Sequence, residues 1–318
     1  MDFAIIGCGA MGSLFGALLA RAGHAVWMID NNPERARSLA QEGVAVEGAS
    51  GSFRTRVNAT VDTAEAPHPE FLFVFVFVKA YDTSAAAETA ARVAGPRTAF
   101  VTLQNGLGNV ETLAGRFGAE RVIGGTTAHG ATEIGPGRIR HAGAGATIIG
   151  EANGERSARV KALAAALRAA GIEVTITDDL DSVVWSKLVV NCGINALGAV
   201  TRLPNGLLAQ DEGAAVVMRA AVAEAAAVSR AKGIALAYPD PIAHTQEVCR
   251  ATAKNINSML QDVLRGRRTE VEAINGAVAR EGQRLGVATP VNAALAGLVG
   301  AVERGYGQQV RGALGASG

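Results

Sequence analysis

Several features that would assign a protein to a specialised class are scarce in this sequence. Its 318 residues include only 3 cysteines, Cys8, Cys192 and Cys249, whose isolated spacing excludes a disulfide framework or a cysteine-based zinc site. The formal net charge is +1, so we expect neither a nucleic acid nor an anionic membrane as the main partner. The most hydrophobic run, at residues 71–78, is far shorter than the roughly 20 residues that span a bilayer.

The N-terminus also lacks the basic region and the long apolar segment of a secretory signal peptide. We therefore expect a cytoplasmic protein with reduced cysteines. No cluster of histidine, cysteine and acidic residues has metal-ligand spacing, so no metal site is predicted. The chain has room for two domains at roughly 150 residues each.

The first half of the chain alternates short β-branched or aromatic runs with alanine-rich stretches. This alternation is typical of βαβ units around a parallel sheet. The glycine-rich section at residues 124–150 instead predicts a β-hairpin or meander, with a turn at Gly135 to Arg138. The predicted strands lie near residues 2–6, 25–29, 71–78, 98–102, 122–125 and 173–177, and the predicted helices near 12–22, 33–41 and 156–170.

The second half of the chain predicts helices only. Glycines follow the ends of two of these segments and prolines mark the starts of others, as expected for helix boundaries. The predicted helices lie near residues 182–197, 212–232, 240–254, 267–285 and 291–304.

A glycine pattern near the N-terminus, AIIGCGAMGSLFG, follows an apolar strand and opens a helix. Gly7 allows a tight turn, Gly9 lets a pyrophosphate approach the backbone, and Gly12 lets the helix pack closely on the strand. A second strand ends at Asp30, about 20 residues further on, where a ribose-binding acid is expected. These features predict a dinucleotide-binding domain.

The predicted architecture is therefore an α/β Rossmann-type N-terminal domain with a parallel sheet, followed by an all-α C-terminal domain. We place the boundary after Asp178, where the following residues can cap the next helix, so the domains are residues 1–178 and 179–318. The alanine-rich helical domain is compatible with a homodimer and equally with a monomer.

Asp30 bears on the choice of cofactor. A carboxylate there would accept a hydrogen bond from a ribose 2′-hydroxyl and repel a 2′-phosphate, which favours NAD over NADP. Arg35 and Arg37 oppose this interpretation if either approaches a 2′-phosphate. The alternatives are that Asp30 is a solvated cap of the next helix and that both arginines lie on a solvated helix face.

Motifs along nearly the whole chain resemble the ketopantoate reductases (2-dehydropantoate 2-reductases). They are GCGAMGSLFG, FVKA, LQNGLGN, TTAHGA, WSKLVVNCGINAL, LPNG, NSMLQD and TEVEAINGAV, in that order. The resemblance implies reduction of 2-dehydropantoate to (R)-pantoate with NAD(P)H, and the usual family pattern favours NADP. It implies Lys187 as the proton donor and Glu270 as the acid beside it. It also implies cofactor contacts by Gly7, Cys8, Gly9, Ala10, Met11, Gly12, Asp30, Lys79, Asn105 and Ala131, and substrate contacts by Asn105, Lys187, Asn191, Asn195, Asn205, Asn257 and Ser258.

Each of these side chains also has a structural interpretation. Lys79 would then be a surface lysine, Asn105 and Asn205 turn residues beside glycine, and Ser258 a helix cap. Glu270 would be an acid on a helix face, paired with Arg267 or Arg268. His129 and His141 are interpreted as loop or strand residues.

Lys187 carries the strongest physical case. Together with Asn191 and Asn195 it interrupts an apolar segment at steps of four, which places all three on one helix face. A buried lysine loses hydration and needs a compensating partner or a shifted pKa. Such a lysine can polarise a ketone and protonate its oxygen while the cofactor delivers hydride.

Two other functions remain open at this stage. One is a related 2-oxoacid reductase or D-2-hydroxyacid dehydrogenase that uses the same lysine on another substrate. The other is a dinucleotide-binding sensor that performs no chemistry. Retention of Lys187 and Glu270 argues against the sensor.

Overall fold

The computed structural model describes residues 1–66 and 71–308. The chain divides into two compact units, Met1–Val184 and Trp185–Gly318. The division falls within one long helix, Leu180–Thr201.

The first unit contains a mostly parallel sheet of eight strands and a smaller sheet of four strands. Its strands are β1 (Asp2–Ile6), β2 (Ala25–Ile29), β3 (Val44–Gly48), β4 (Phe53–Thr55), β5 (Asn58–Thr60), β6 (Phe73–Val76), β7 (Ala99–Thr102), β8 (Val122–Thr127), β9 (Gly130–Gly135), β10 (Arg138–Gly143), β11 (Thr147–Glu151) and β12 (Val174–Ile176). Its helices are α1 (Ala10–Arg21), α2 (Pro33–Glu42), α3 (Thr83–Arg92), α4 (Asn109–Phe117) and α5 (Ala158–Ala169).

The large sheet has the order β12-β11-β8-β7-β6-β1-β2-β5, and only the β8–β11 pair is antiparallel. All four residues of β6 are buried, which confirms the prediction from its uninterrupted apolar run. Because β1, β6 and β7 are parallel neighbours, the segments that follow their carboxyl ends meet at one edge of the sheet.

The smaller sheet has the order β4-β3-β10-β9. Strands β9 and β10 pair antiparallel with Gly135 opposite Arg138, so the predicted hairpin and its turn are confirmed. The sequence prediction missed β3, β4 and β5, which are three to five residues long and only partly buried. It also missed α3 and α4.

The second unit is helical throughout its regular structure in the described part of the chain, as predicted. Its helices are α6 (Leu180–Thr201), which begins in the first unit, α7 (Asn205–Gln210), α8 (Glu212–Ala231), α9 (Pro241–Ala251), α10 (Ser258–Leu264), α11 (Asn275–Leu285) and α12 (Pro290–Arg304). The N-terminus of α12 is held by Glu224, whose carboxylate accepts hydrogen bonds from the backbone N–H groups of Val291 and Asn292, both at 2.9 Å.

The helix predicted at residues 267–285 is wrong in its first part. Gly266, with φ of +62°, ends α10, and the next helix begins only at Asn275. Residues between them form hydrogen-bonded turns, in which the amide of Ile274 donates to the carbonyl oxygen of Glu270 at 3.1 Å. Val271 and Ile274 are buried, so the apolar spacing that suggested a helix marks core positions, although the backbone there is not helical.

Among the described residues, only α6 is long and apolar enough to cross a membrane by length and hydropathy alone. Of its most apolar window, 67% is buried within the protein, as in the core helix of a globular domain. This helix is therefore weak grounds for a membrane span.

Candidate functional site

The three glycines of the loop between β1 and α1 differ in their surroundings, because a Cβ would clash at two of them and would have no neighbour at the third. Gly7 has φ of +92°, and a Cβ there would lie 2.7 Å from Cγ1 of Val78. A Cβ on Gly12 would lie 2.1 Å from the carbonyl oxygen of Gly7. Gly9 differs, because a Cβ there would meet nothing within 4 Å. The close contacts at Gly7 and Gly12 and the open space at Gly9 are what a pyrophosphate-binding loop requires, and the cofactor contacts themselves stay a prediction.

The rest of the loop supports an anion site at the start of α1. The first turn of this helix contains Ala10 and Met11, both partly exposed, and Gly9 caps it without a side-chain hydrogen bond. Its N–H groups are therefore available to an anion. Ser13 Oγ donates to the carbonyl oxygen of Cys8 at 2.8 Å, and burial raises the pKa of the Cys8 thiol.

Asp30 is buried directly after β2, where it contacts the glycine loop. Its Oδ2 accepts a hydrogen bond from the amide of Cys8 at 2.7 Å, and its Oδ1 accepts one from the amide of Asn32 at 2.9 Å. The side chain that caps α2 is Asn32, which accepts from the amide of Arg35. The alternative that Asp30 is a solvated helix cap is therefore wrong.

Arg35 joins Asp30 to a third charged group. Nη1 of Arg35 lies 3.0 and 3.1 Å from the two Asp30 oxygens, and Nε lies 3.0 Å from Oε1 of Glu133 on β9. Burial alone would lower the pKa of Arg35, but Asp30 and Glu133 raise it. Arg37, by contrast, is exposed on α2, as the solvated-face interpretation expects.

Lys79 follows β6 and Asn105 follows β7. In the sheet, β6 lies next to β1 and β7 lies next to β6. The side chain of Gln104 connects the two segments, because its Nε2 donates to the carbonyl oxygen of Val78 at 2.7 Å and to Thr83 Oγ1 at 2.9 Å. Lys79 and Asn105 are both partly buried. The structure therefore brings these two predicted residues to the sheet edge where the glycine loop lies.

Ala131 lies on β9, two residues before Glu133, and packs against the core that includes α1. The histidines near it contact each other, with Nδ1 of His129 lying 2.9 Å from Nε2 of His141. Burial and the neighbouring His141 lower the pKa of His129 to about 4. His129 precedes β9 and His141 lies in β10, which confirms their interpretation as loop and strand residues.

Lys187 lies on α6 in the second unit, and its ammonium group is enclosed by protein although the residue as a whole keeps some exposure. Burial lowers the pKa of Lys187 to about 8, and the charge of Glu270 opposes this shift. Glu270 is 7% exposed and lies in the turns before α11. It is therefore not an acid on a helix face.

Neighbouring side chains fix the part of α6 that carries Lys187. Tyr238 donates from its hydroxyl to the carbonyl oxygen of Ser186, and the amide of Ala237 donates to Ser186 Oγ at 2.8 Å. Further along, Nδ2 of Asn275 donates to the carbonyl oxygen of Cys192 at 3.0 Å. These contacts hold the helix on both sides of the predicted catalytic residue.

Two of the predicted asparagines of the second unit lie on α6, and two lie at the starts of later helices. Asn191 and Asn195 continue the four-residue spacing from Lys187 within the single helix α6, so the three lie on one face. Asn205 begins α7, where its Nδ2 donates to Thr252 Oγ1 at 2.9 Å.

Asn257, rather than Ser258, is the cap of α10. Its Oδ1 accepts from the amide of Leu260 at 2.9 Å, and its Nδ2 donates to the carbonyl oxygen of Ile194 at 3.4 Å. Gly198 on α6 permits this approach, since a Cβ there would lie 2.2 Å from Nδ2 of Asn257. Ser258 is exposed at the first position of the helix.

Sequence reasoning missed several side chains that support these sites. Gln104 stands within the motif LQNGLGN, so the motif itself contained the signal. No sequence signal pointed to Glu133 or Tyr238, because each forms its hydrogen bond with a residue about fifty or more positions away in the chain.

The parallel sheet and the glycine loop define a Rossmann-type dinucleotide-binding protein with a helical C-terminal unit. The family model "Ketopantoate reductase PanE/ApbA" matches residues 3–154, and "Ketopantoate reductase PanE/ApbA C terminal" matches residues 179–303. The chain belongs to the ketopantoate reductase family.

Individual relatives match over nearly their full length. The 2-dehydropantoate 2-reductase of Halobacterium salinarum is 37% identical over 305 residues, covering 96% of this chain and 99% of that protein. The structure of 2-dehydropantoate 2-reductase from Geobacter metallireducens superimposes with a TM-score of 0.89 at 33% identity, covering 95% of this chain and 99% of that one. The ternary structure of D-mandelate dehydrogenase with NADH and anilino(oxo)acetate gives a TM-score of 0.90 at 27% identity, covering 96% and 100%.

Proposed function

We propose that this protein catalyses the reduction of 2-dehydropantoate to (R)-pantoate with NAD(P)H. The observation that carries the proposal is the enclosed Lys187 with Glu270 nearby, in a chain that belongs to the ketopantoate reductase family. Relatives named 2-dehydropantoate 2-reductase over nearly the whole chain support the same activity. The sensor alternative is disfavoured, because groups with strongly shifted pKa values are concentrated at catalytic sites.

The two predicted domains would have different roles, one in binding the cofactor and the other in binding and protonating the substrate. Residues 1–178 would bind the dinucleotide through the loop Gly7 to Gly12, with Asp30 near the adenosine ribose. Residues 179–318 would bind the small 2-oxoacid and supply its proton. We also propose a cytoplasmic location, with the oxoacid rather than a nucleic acid or a membrane as the partner.

Lys187 would act as the general acid. The bound nicotinamide cofactor supplies hydride to the carbonyl carbon. The Lys187 ammonium polarises the carbonyl, stabilises the negative charge that develops on its oxygen, and transfers a proton to that oxygen. A pKa of about 8 keeps most of the lysine protonated at neutral pH while making the proton easy to give up.

The amide side chains would orient the substrate. Asn191 and Asn195 lie on the Lys187 face of α6 and can donate and accept hydrogen bonds without changing charge. Asn205, Asn257 and Ser258 are proposed as further substrate contacts. In the first domain Lys79 and Asn105 would meet the nicotinamide end of the cofactor, and Ala131 would contact the cofactor from β9.

Asp30 supports NADH as the preferred donor, against the NADP preference that the family resemblance implies. Its carboxylate contacts the glycine loop through the Cys8 amide and would disfavour a nearby 2′-phosphate. Arg35 already donates to both Asp30 oxygens, so a ribose hydroxyl at this position would share the carboxylate with the guanidinium.

A coupled assay tests the proposed activity. Rates on 2-dehydropantoate are compared with rates on a panel of branched 2-oxoacids, using NADH and NADPH in turn. We expect the highest kcat/KM on 2-dehydropantoate. A preference of more than about tenfold for another acid, which corresponds to 1.4 kcal/mol in transition-state binding, would instead assign the related 2-oxoacid reductase activity.

The pKa of Lys187 predicts the pH dependence of the reaction. We expect kcat/KM for the oxoacid to fall as the pH rises above about 8, because the deprotonated amine cannot donate the proton. Glu270 raises the pKa of Lys187, so Glu270→Gln should move this decline to lower pH. The measurement is the pH profile of kcat/KM for both proteins.

The matched control for Glu270→Gln is Glu281→Gln, which removes a carboxylate from the Lys232–Glu281 ion pair of the same unit. This variant should keep the wild-type profile. A Glu270→Gln profile that coincides with the wild type would contradict the coupling between Glu270 and Lys187.

A further inference from the structure

Three charged side chains form a cluster beside the glycine loop, which we call the Asp30–Arg35–Glu133 cluster. They come from three separate elements, since Asp30 follows β2, Arg35 lies on α2 and Glu133 lies on β9. The cluster contacts the loop directly, because Oδ2 of Asp30 accepts the Cys8 amide at 2.7 Å. In Rossmann-type domains the acid at this strand end lies near the adenosine ribose of the cofactor.

The guanidinium of Arg35 has carboxylate partners at every nitrogen. Nη1 contacts both oxygens of Asp30, Nε contacts Oε1 of Glu133, and Nη2 contacts Oε2 of Glu133 at 3.4 Å. The side chains are shielded, with Asp30, Arg35 and Glu133 exposing 4%, 21% and 16% of their surface. A phosphate could recruit Arg35 only by displacing one of these carboxylates.

The charges of the cluster do not cancel. Two carboxylates and one guanidinium leave a net charge of −1 next to the predicted ribose position. A 2′-phosphate carries close to two negative charges, so this net charge repels it, whereas a 2′-hydroxyl is unaffected. Without Glu133, Arg35 and Asp30 would be neutral together, and the Arg35 donors facing β9 would be free to bind a phosphate.

We propose that Glu133 is a specificity-determining residue for the dinucleotide. It holds Arg35 on Asp30, keeps the cluster negative, and thereby disfavours NADPH relative to NADH. The inference rests on the proposed function only in assuming that a nicotinamide dinucleotide binds this loop, and it concerns affinity rather than turnover.

The test is the affinity of the protein for NADH and NADPH without oxoacid, measured by quenching of protein fluorescence. Glu133→Gln keeps the size of the side chain and an acceptor oxygen but removes its charge. We expect the ratio Kd(NADPH)/Kd(NADH) to fall about tenfold in this variant, which equals 1.4 kcal/mol. An unchanged ratio would overturn the proposal.

The matched control is Glu47→Gln. Glu47 on β3 pairs with Arg140 on β10 in the same small sheet, so the substitution removes the same charge from an arginine ion pair outside the cluster. The ratio should stay at the wild-type value in this control. An equal shift in Glu47→Gln and Glu133→Gln would assign the effect to overall charge and overturn the role of Glu133.

Salt dependence tests the same idea on the unmodified protein and remains decisive if Glu133→Gln fails to fold. Raising the ionic strength from about 0.05 to about 0.5 M screens the net negative charge, so Kd(NADPH)/Kd(NADH) should fall. A ratio that is constant or rises would contradict a negative field at the ribose. Turnover of 2-dehydropantoate is measured separately, so an inactive protein with the expected affinity ratio would defeat the proposed activity alone.

Discussion

Replacing Lys187 by alanine is expected to lower the turnover number by roughly 10²–10⁴, the usual contribution of a positioned general acid. The affinity for NADH should change little, since the glycine loop that would hold the dinucleotide belongs to the other unit. Steady-state kinetics on 2-dehydropantoate and fluorescence titration with NADH measure the two quantities.

Two further variants separate proton transfer from other roles of the lysine. Lys187→Arg keeps a positive charge but cannot release a proton near neutral pH, so its turnover should stay close to that of Lys187→Ala. Lys232→Ala removes another lysine that pairs with a glutamate in the same unit, and its turnover should match the wild type. A turnover number of Lys187→Ala within threefold of the wild type would exclude Lys187 as the donor.

Replacing Gly9 by alanine is expected to weaken NADH binding by roughly 100-fold without destabilising the fold, because the methyl group would occupy the space proposed for the pyrophosphate. The backbone at Gly9 has φ of −66° and ψ of −165°, which alanine adopts readily, and the new Cβ would have no neighbour within 4 Å. Thermal unfolding and NADH titration of the same preparation test both parts of the prediction.

Two other glycines serve as controls for this variant. Gly12→Ala would bring a Cβ within 2.1 Å of the Gly7 carbonyl oxygen, so it should lower both the unfolding temperature and the affinity. Gly115→Ala, exposed on α4 with no neighbour within 4 Å, should leave the affinity unchanged and stabilise the helix by up to about 1 kcal/mol. Normal NADH affinity in Gly9→Ala would place the pyrophosphate elsewhere.

The sequence predicted most of the fold because its strongest signals are local. The apolar run of β6 and the glycine loop after β1 each depend on residues close together in the chain, and the structure contains both. The sequence also predicted α6 from local signals, namely its apolar composition and the four-residue spacing of its polar residues. The order of the strands and the antiparallel β8–β11 pair depend on long-range contacts, which no local pattern encodes.

The errors arose where local and tertiary signals disagree. The segment before α11 has helical apolar spacing, but Gly266 and the turn hydrogen bonds of Glu270 hold it in another backbone conformation. Likewise, Asp30 directly follows its strand, yet its hydrogen-bond partners could not be predicted from the sequence because one of them, Arg35, is itself held by Glu133.

Glu133 stands 98 positions after Arg35 in the chain, on a strand of the smaller sheet. A graft that transfers the glycine loop, β2 and α2 into another Rossmann-type scaffold would carry Asp30 and Arg35 but leave Glu133 behind. The transplanted arginine would then be free to bind a phosphate, and the chimera should lack the discrimination against NADPH that we propose for the parent. If Glu133 has the proposed role, the cofactor preference depends on the assembled domain and cannot be predicted from the glycine motif and Asp30 alone.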